Sequence, residues 1–195
     1  MFGRFNRHQD LVKSILTLFT GSAIAQAIPI LVSPLLTRLY PVVDFAALTI
    51  ITTLISLVGV VVTGRYEFAV GLPADDRDAR SLVQLASVIT VSVSVLVGII
   101  LVFFRDGIAS LMSFPSSPDY LFAIPVAALF YGGYQAFSFW QIRQRNYVVV
   151  SGSRISQSLT NSASSLGIFF IGFGINGLIL GNVLGQFAAF LYAFL

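Results

Sequence analysis

The chain of 195 residues is 56% hydrophobic and only 10% charged, with a net charge of +3 and no cysteine. A soluble domain carries about 25% charged residues, and there are too few polar groups here to cover the surface of one, so lipid must solvate most of the chain. Without cysteine there can be no disulfide framework, thiolate metal site or cysteine nucleophile.

The first 13 residues form a basic arm, and Ser14 to Thr37 then runs for 24 residues without a charge. That is too long for the apolar region of a signal peptide, so the stretch reads as a retained first span. A helix needs about 20 apolar residues to cross the hydrocarbon core. Further charge-free intervals fit that length at 45–64, 81–104 and 120–142, followed by an uncharged tract of 41 residues from Ile155 to Leu195. "GFGING", Gly172 to Gly177, breaks that tract into two spans, 155–172 and 176–195. The expectation is an all-α membrane protein: the arm, 1–13, and a lobe of six transmembrane helices, 14–195.

Short cytoplasmic loops are enriched in Lys and Arg. Arg4, Arg7 and Lys13 lie in the arm, Arg65, Arg77 and Arg80 in the second loop, and Arg143, Arg145 and Arg154 in the fourth, against only Arg38 and Arg105 on the opposite side. Nine against two places both termini in the cytoplasm. Tyr40, Tyr66, Tyr120, Trp140 and Tyr147 fall at the span ends, where amphipathic rings prefer the headgroup layer. Asp44, just before "FAALTIITT", reads as the N-cap of the second helix.

In the first helix, "LFTGSAIAQAIPILVSPLLTRLY", Pro29 and Pro34 each remove a backbone donor, which predicts a kink or local unwinding. Broken helices in membranes are buried in protein or line wet cavities, so Gln26 near mid-membrane faces the interior, either as a satisfied packing residue or as cavity lining. The fifth helix crowds Ser, Thr, Asn and Gln between Ser156 and Ser165, so one of its sides must meet protein or water. Gly177, Gly181 and Gly185 form a small-residue stripe for close helix contact, within the bundle before a dimer.

No phosphate loop, zinc motif or nucleophile elbow is present, and the single histidine, His8, lies in the arm. A membrane enzyme is not expected, nor is a cofactor, a metal site or a nucleic-acid partner. Arg65 and Glu67, two residues apart, would point to different faces of a helix and are not a simple pair. Arg65 either snorkels to anionic lipid and fixes topology, or binds phosphate at the inner mouth of a cavity with its planar fork. Arg38 has the same two readings at the outer mouth.

Ser33 to Ala79, "SPLLTRLYPVVDFAALTIITTLISLVGVVVTGRYEFAVGLPADDRDA", resembles the N-terminal region of bacterial polysaccharide flippases of the multidrug/oligosaccharidyl-lipid/polysaccharide exporter superfamily. The resemblance rests on the proline-bearing "SPLLTRLY", the Asp-Phe pair before the second helix, "RYE-AV-LP" after it and the acidic loop, and it fades after about Phe104. It implies one lobe of a two-lobe, MATE-like carrier in the bacterial inner membrane that exports polyprenyl-pyrophosphate-linked oligosaccharide for O-antigen, capsule or exopolysaccharide synthesis by alternating access. It also implies substrate contacts by Arg65, Arg38 and Gln26, with Glu67 as a partner or an ion-coupling acid. Expected partners are the lipid-linked oligosaccharide, membrane lipid, a second six-helix lobe or a homodimer mate, and polysaccharide polymerase machinery. The still-apolar end at Leu195 fits a chain cut from a longer one. A non-transporting scaffold or inactive remnant in a polysaccharide assembly complex is the alternative of a different class. A drug–cation antiporter of the same superfamily would be expected to carry acids within its spans, which the charge-free intervals do not.

Overall fold

The computed structural model describes residues 3–172 and 174–195, with side chains from Lys13 onward. The described residues form six α-helices and no strand: α1 (Gly3–Leu39), α2 (Val42–Val61), α3 (Asp76–Leu111), α4 (Ala123–Arg143), α5 (Tyr147–Phe170) and α6 (Asn176–Phe194). Short 3-10 helices, Tyr66–Gly71 and Pro118–Phe122, precede α3 and α4. Five of the six, all except α5, are long and apolar enough to cross a membrane. The chain is therefore a multi-pass membrane protein by length and composition.

The helices overrun the charge-free intervals. The α1 backbone is helical from Gly3, so the arm continues the first helix; the side chains of Arg4, Arg7 and His8 lie outside the described residues. Asp76 and Asp78 occupy the first turn of α3, where acids oppose the positive end of the helix dipole. At its other end α3 continues through Arg105 to Leu111. Its 36 residues span about 54 Å, well beyond a hydrocarbon core of about 30 Å. Asp44 is not the N-cap of α2: the helix begins at Val42 after Pro41, which puts the carboxylate inside the first turn. Nor does α1 unwind at its prolines, since both lie within one continuous helix.

The order of packing differs from the order of the chain. α4 lies at the centre against α2, α3 and α6, while α5 is held between α6 and α1. Ile51 and Ile55 of α2, Leu101 of α3, Ile124 and Ala127 of α4 and Ile179 of α6 form the main core. A second cluster, Val70, Ala79, Val83, Ala86 and Ala136, seats the first 3-10 helix against α3 and α4. Arg143 at the end of α4 pins the following loop. Its Nη1 donates to the carbonyls of Val70 (3.1 Å) and Pro73 (2.8 Å) and its Nη2 to that of Ala74 (3.4 Å), while Nε pairs with Asp76 at 3.1 Å.

The glycine stripe of α6 is used inside the bundle. A Cβ on Gly181 would lie 3.0 Å from the Asn161 carbonyl and 3.1 Å from the Ser165 amide, and one on Gly185 3.0 Å from the Gln157 carbonyl. A Cβ on Gly177 would strike the Tyr40 hydroxyl. That hydroxyl donates to the Ser165 carbonyl at 2.6 Å and fastens the end of α1 to α5.

Candidate functional site

A groove of about 540 Å³ runs between α1 and α5, lined by Ser22, Ala25, Gln26, Pro29 and Ile30 on one side and Arg154, Gln157, Ser158 and Asn161 on the other. The sequence builds it through two devices. Gly21 brings the backbones together, its position for a Cβ being 3.1 Å from the Ser151 Cα. Pro29 has no N–H, so the carbonyl of Ala25, one turn earlier, loses its helical donor. Ser158 of α5 supplies the missing one: its Oγ donates to the Ala25 carbonyl at 2.6 Å. Ser151 adds a bond to the Thr17 carbonyl at 3.0 Å. The proline thus leaves α1 helical and turns a freed acceptor into a tie to its neighbour.

Arg154, an exposed residue, supplies the charge in the groove. It lies seven residues into α5, about 10 Å from the helix start. Its Nη1 donates to Ser22 Oγ at 2.6 Å, and no carboxylate among the described residues is within ion-pair distance. Around it, Gln26 Nε2 donates to the Ser22 carbonyl at 3.3 Å and Gln157 Nε2 donates to Gln186 Oε1 at 2.9 Å. The arrangement is an uncompensated cation among hydroxyls and carboxamides, open on one side. Chemically it can accept an anion and hydrogen-bond a polar head.

Comparison with known proteins finds no matching family model, curated protein or solved structure. What the site does rests on its own geometry.

Of the four residues expected at a site, Gln26 lines the groove but is exposed rather than turned to the interior as expected, because the groove is open along α1. Arg38 is exposed in the last turn of α1. Arg65 is exposed beyond the far end of α2, about 30 Å away along that helix. Its backbone is left-handed at φ 64°, and its guanidinium lies 5.6 Å from the Phe68 ring centroid. Glu67 is only 3% exposed and accepts a hydrogen bond from the Thr63 hydroxyl. No ion pair joins it to Arg65 among the described residues.

The sequence reading puts Arg154 in the fourth loop, among the cations that set topology. α5 begins at Tyr147, so the residue stands inside the helix. The signal was present in the spacing: Ser151, Arg154 and Ser158 stand at i, i+3 and i+7, one helical face.

Proposed function

We propose that this chain is one six-span lobe of a carrier in the bacterial inner membrane, with both termini cytoplasmic, that exports polyprenyl-pyrophosphate-linked oligosaccharide by alternating access. The observation that carries this reading is the open α1/α5 groove, where the exposed Arg154 stands among polar side chains with no carboxylate in ion-pair distance among the described residues. A planar guanidinium suits phosphate oxygens, and the carboxamides of Gln26, Gln157 and Asn161 suit sugar hydroxyls. In this reading Arg154 holds the pyrophosphate in the groove and Gln26 the sugars, while Arg38 and Arg65 meet the pyrophosphate at the two mouths. Glu67 is the acid available for coupling to an ion.

The resemblance of Ser33–Ala79 to polysaccharide flippases supports the same substrate class, and it supports a second lobe as the partner across the groove. Topology is supported too: with Arg154 moved into α5, eight cations still fall on the terminal side against Arg38 and Arg105. In this reading α5, packed between α1 and α6, is also a span and brings the number to six. No carboxylate lines the groove among the described residues, which disfavours a drug–cation antiporter.

The test is binding of geranyl pyrophosphate to the full chain in detergent, by calorimetry. Arg154→Gln is expected to weaken it about 10-fold or more, since charge-assisted hydrogen bonds contribute roughly 1.5–3 kcal/mol, with Arg154→Lys intermediate. Equal affinity in wild type and Arg154→Gln would remove the groove from the reading.

A further inference from the structure

A second trough crosses a different face of the molecule, between α3 and α4. Its lining on α3 climbs one helical face from Arg80 through Gln84 and Ser87 to Val91, while the facing wall on α4 descends from Trp140 through Phe137 to Phe130. It consists of cavities of about 730 and 350 Å³ that share Ser87 and Phe137. A third cavity, of about 470 Å³, shares Arg80 and Gln84 and extends the trough to Arg77.

Its two ends differ in chemistry. The deep end is walled by phenylalanines, including Phe190 and Phe194 of α6. The other end carries Arg77 and Arg80 at the start of α3. Asp76 lies at that end too, but its carboxylate is held by Arg143 at 3.1 Å. Asp78 is two residues from Arg80, about 200° around the helix and so on the opposite face. Arg80 has no carboxylate within ion-pair distance among the described residues, and its guanidinium rests 5.5 Å from the Trp140 ring centroid. The ring fixes the cation at the head of the trough and leaves its N–H edges free.

Length completes the match. From Arg80 to Val91 is eleven residues, about 16 Å along the helix, or half of a hydrocarbon core of about 30 Å. A ligand with an anionic head and an apolar tail one leaflet deep fits this shape. We propose that the α3/α4 trough is a binding site for an anionic phospholipid, its phosphate on Arg80 with Arg77 beside it and an acyl chain lying against Phe137 and the α6 phenylalanines. This site is separate from the α1/α5 groove and does not depend on what that groove carries.

Trp140 is the only tryptophan and lines the trough, so its fluorescence reports occupancy without a label. The full chain is reconstituted in phosphatidylcholine vesicles containing equal fractions of dibrominated phosphatidylglycerol or dibrominated phosphatidylcholine. At low bromolipid fraction, phosphatidylglycerol is expected to quench Trp140 with about fivefold the apparent affinity of phosphatidylcholine, the effect of roughly one arginine facing an anionic headgroup. Arg80→Gln is expected to bring the two lipids level, and Arg80→Lys to keep part of the difference. Equal quenching of the wild-type chain by both lipids overturns the proposal in favour of unselective boundary lipid. No quenching by either overturns it in favour of a second copy or another protein covering the trough. Both of these outcomes are read on wild type, so they hold even where a variant fails to fold.

Discussion

Substituting Gly181 by Ala tests whether α5 and α6 are held together by backbone contact. The added methyl would meet the Asn161 carbonyl at 3.0 Å and the Ser165 amide at 3.1 Å, along with the Ser165 hydroxyl. Ordinary contact begins near 3.4 Å. Two of the three neighbours are backbone and cannot rotate away, so the helices must separate by a few tenths of an ångström. Overpacking of this kind costs about 1–3 kcal/mol. Against it stands the gain from replacing a helical glycine by alanine, about 1 kcal/mol. Gly167 of α5 supplies the control, because a Cβ there meets nothing within 4 Å and Gly167→Ala keeps the helical gain alone. The propensity terms cancel between the two variants. Gly181→Ala is therefore expected to be less stable than Gly167→Ala by the clash itself, about 1–3 kcal/mol. Unfolding of the purified chain in mixed micelles of mild detergent and dodecyl sulfate, followed by Trp140 fluorescence, measures the difference. Equal stability of the two variants would refute close α5/α6 contact.

Arg143→Lys is expected to loosen the loop between the first 3-10 helix and α3 by roughly 3 kcal/mol, because one ammonium cannot reach the Val70, Pro73 and Ala74 carbonyls and Asp76 together; hydrogen exchange at Gly71–Asp75 reads this as lost protection. Tyr40→Phe removes the bond to the Ser165 carbonyl and is expected to cost about 1 kcal/mol in the same micelle titration. Burial, with Asp44 adding, pushes the Tyr40 phenol above its ordinary value. Its contribution is therefore full below the unfolded tyrosine value of about 10 and is lost as pH rises through the higher folded value. Absorbance at the phenolate band in wild type and Tyr40→Phe checks that one tyrosine titrates late. Ser113 ends α3 with φ at 49°, donating to the Ser110 carbonyl while the Phe114 amide reaches the Ala109 carbonyl. Ser113→Gly is expected to stabilise by roughly 0.5–1 kcal/mol, since glycine takes this conformation without steric cost, and the thermal midpoint in detergent measures it.

The spans were legible in the sequence because lipid tolerates few charges: each charge-free interval longer than about 17 residues falls in or beside a helix. The helix ends were not, because charge removes a residue from lipid without stopping a helix. Asp76, Asp78 and Arg105 all lie within α3. Arg154 was hidden for the same reason, since counting charges between spans assigns every charge to a loop. The partners were hidden too. Nothing local tells α1 to pack on α5, and the pairing becomes visible only when the Ala25 carbonyl freed by Pro29 meets the Ser158 hydroxyl.

α5 joins the two parts of this molecule. It is too polar to count among the helices apolar enough to cross a membrane, yet it is long enough to do so and carries groups on both sides that need partners. On one side its carbonyls and small side chains accept the glycine stripe of α6, with Gln157 bonded to Gln186. On the other, Ser151, Arg154 and Ser158 reach α1. Backbone contact at the glycines excludes lipid from the first side, so the polar residues there are structural. The second side meets α1 closely at Gly21 and through hydroxyl bonds, and it opens beyond them into a groove along Arg154 and Asn161. The open side holds the groove's only charge among the described residues, and in the proposed reading a ligand accounts for its polarity.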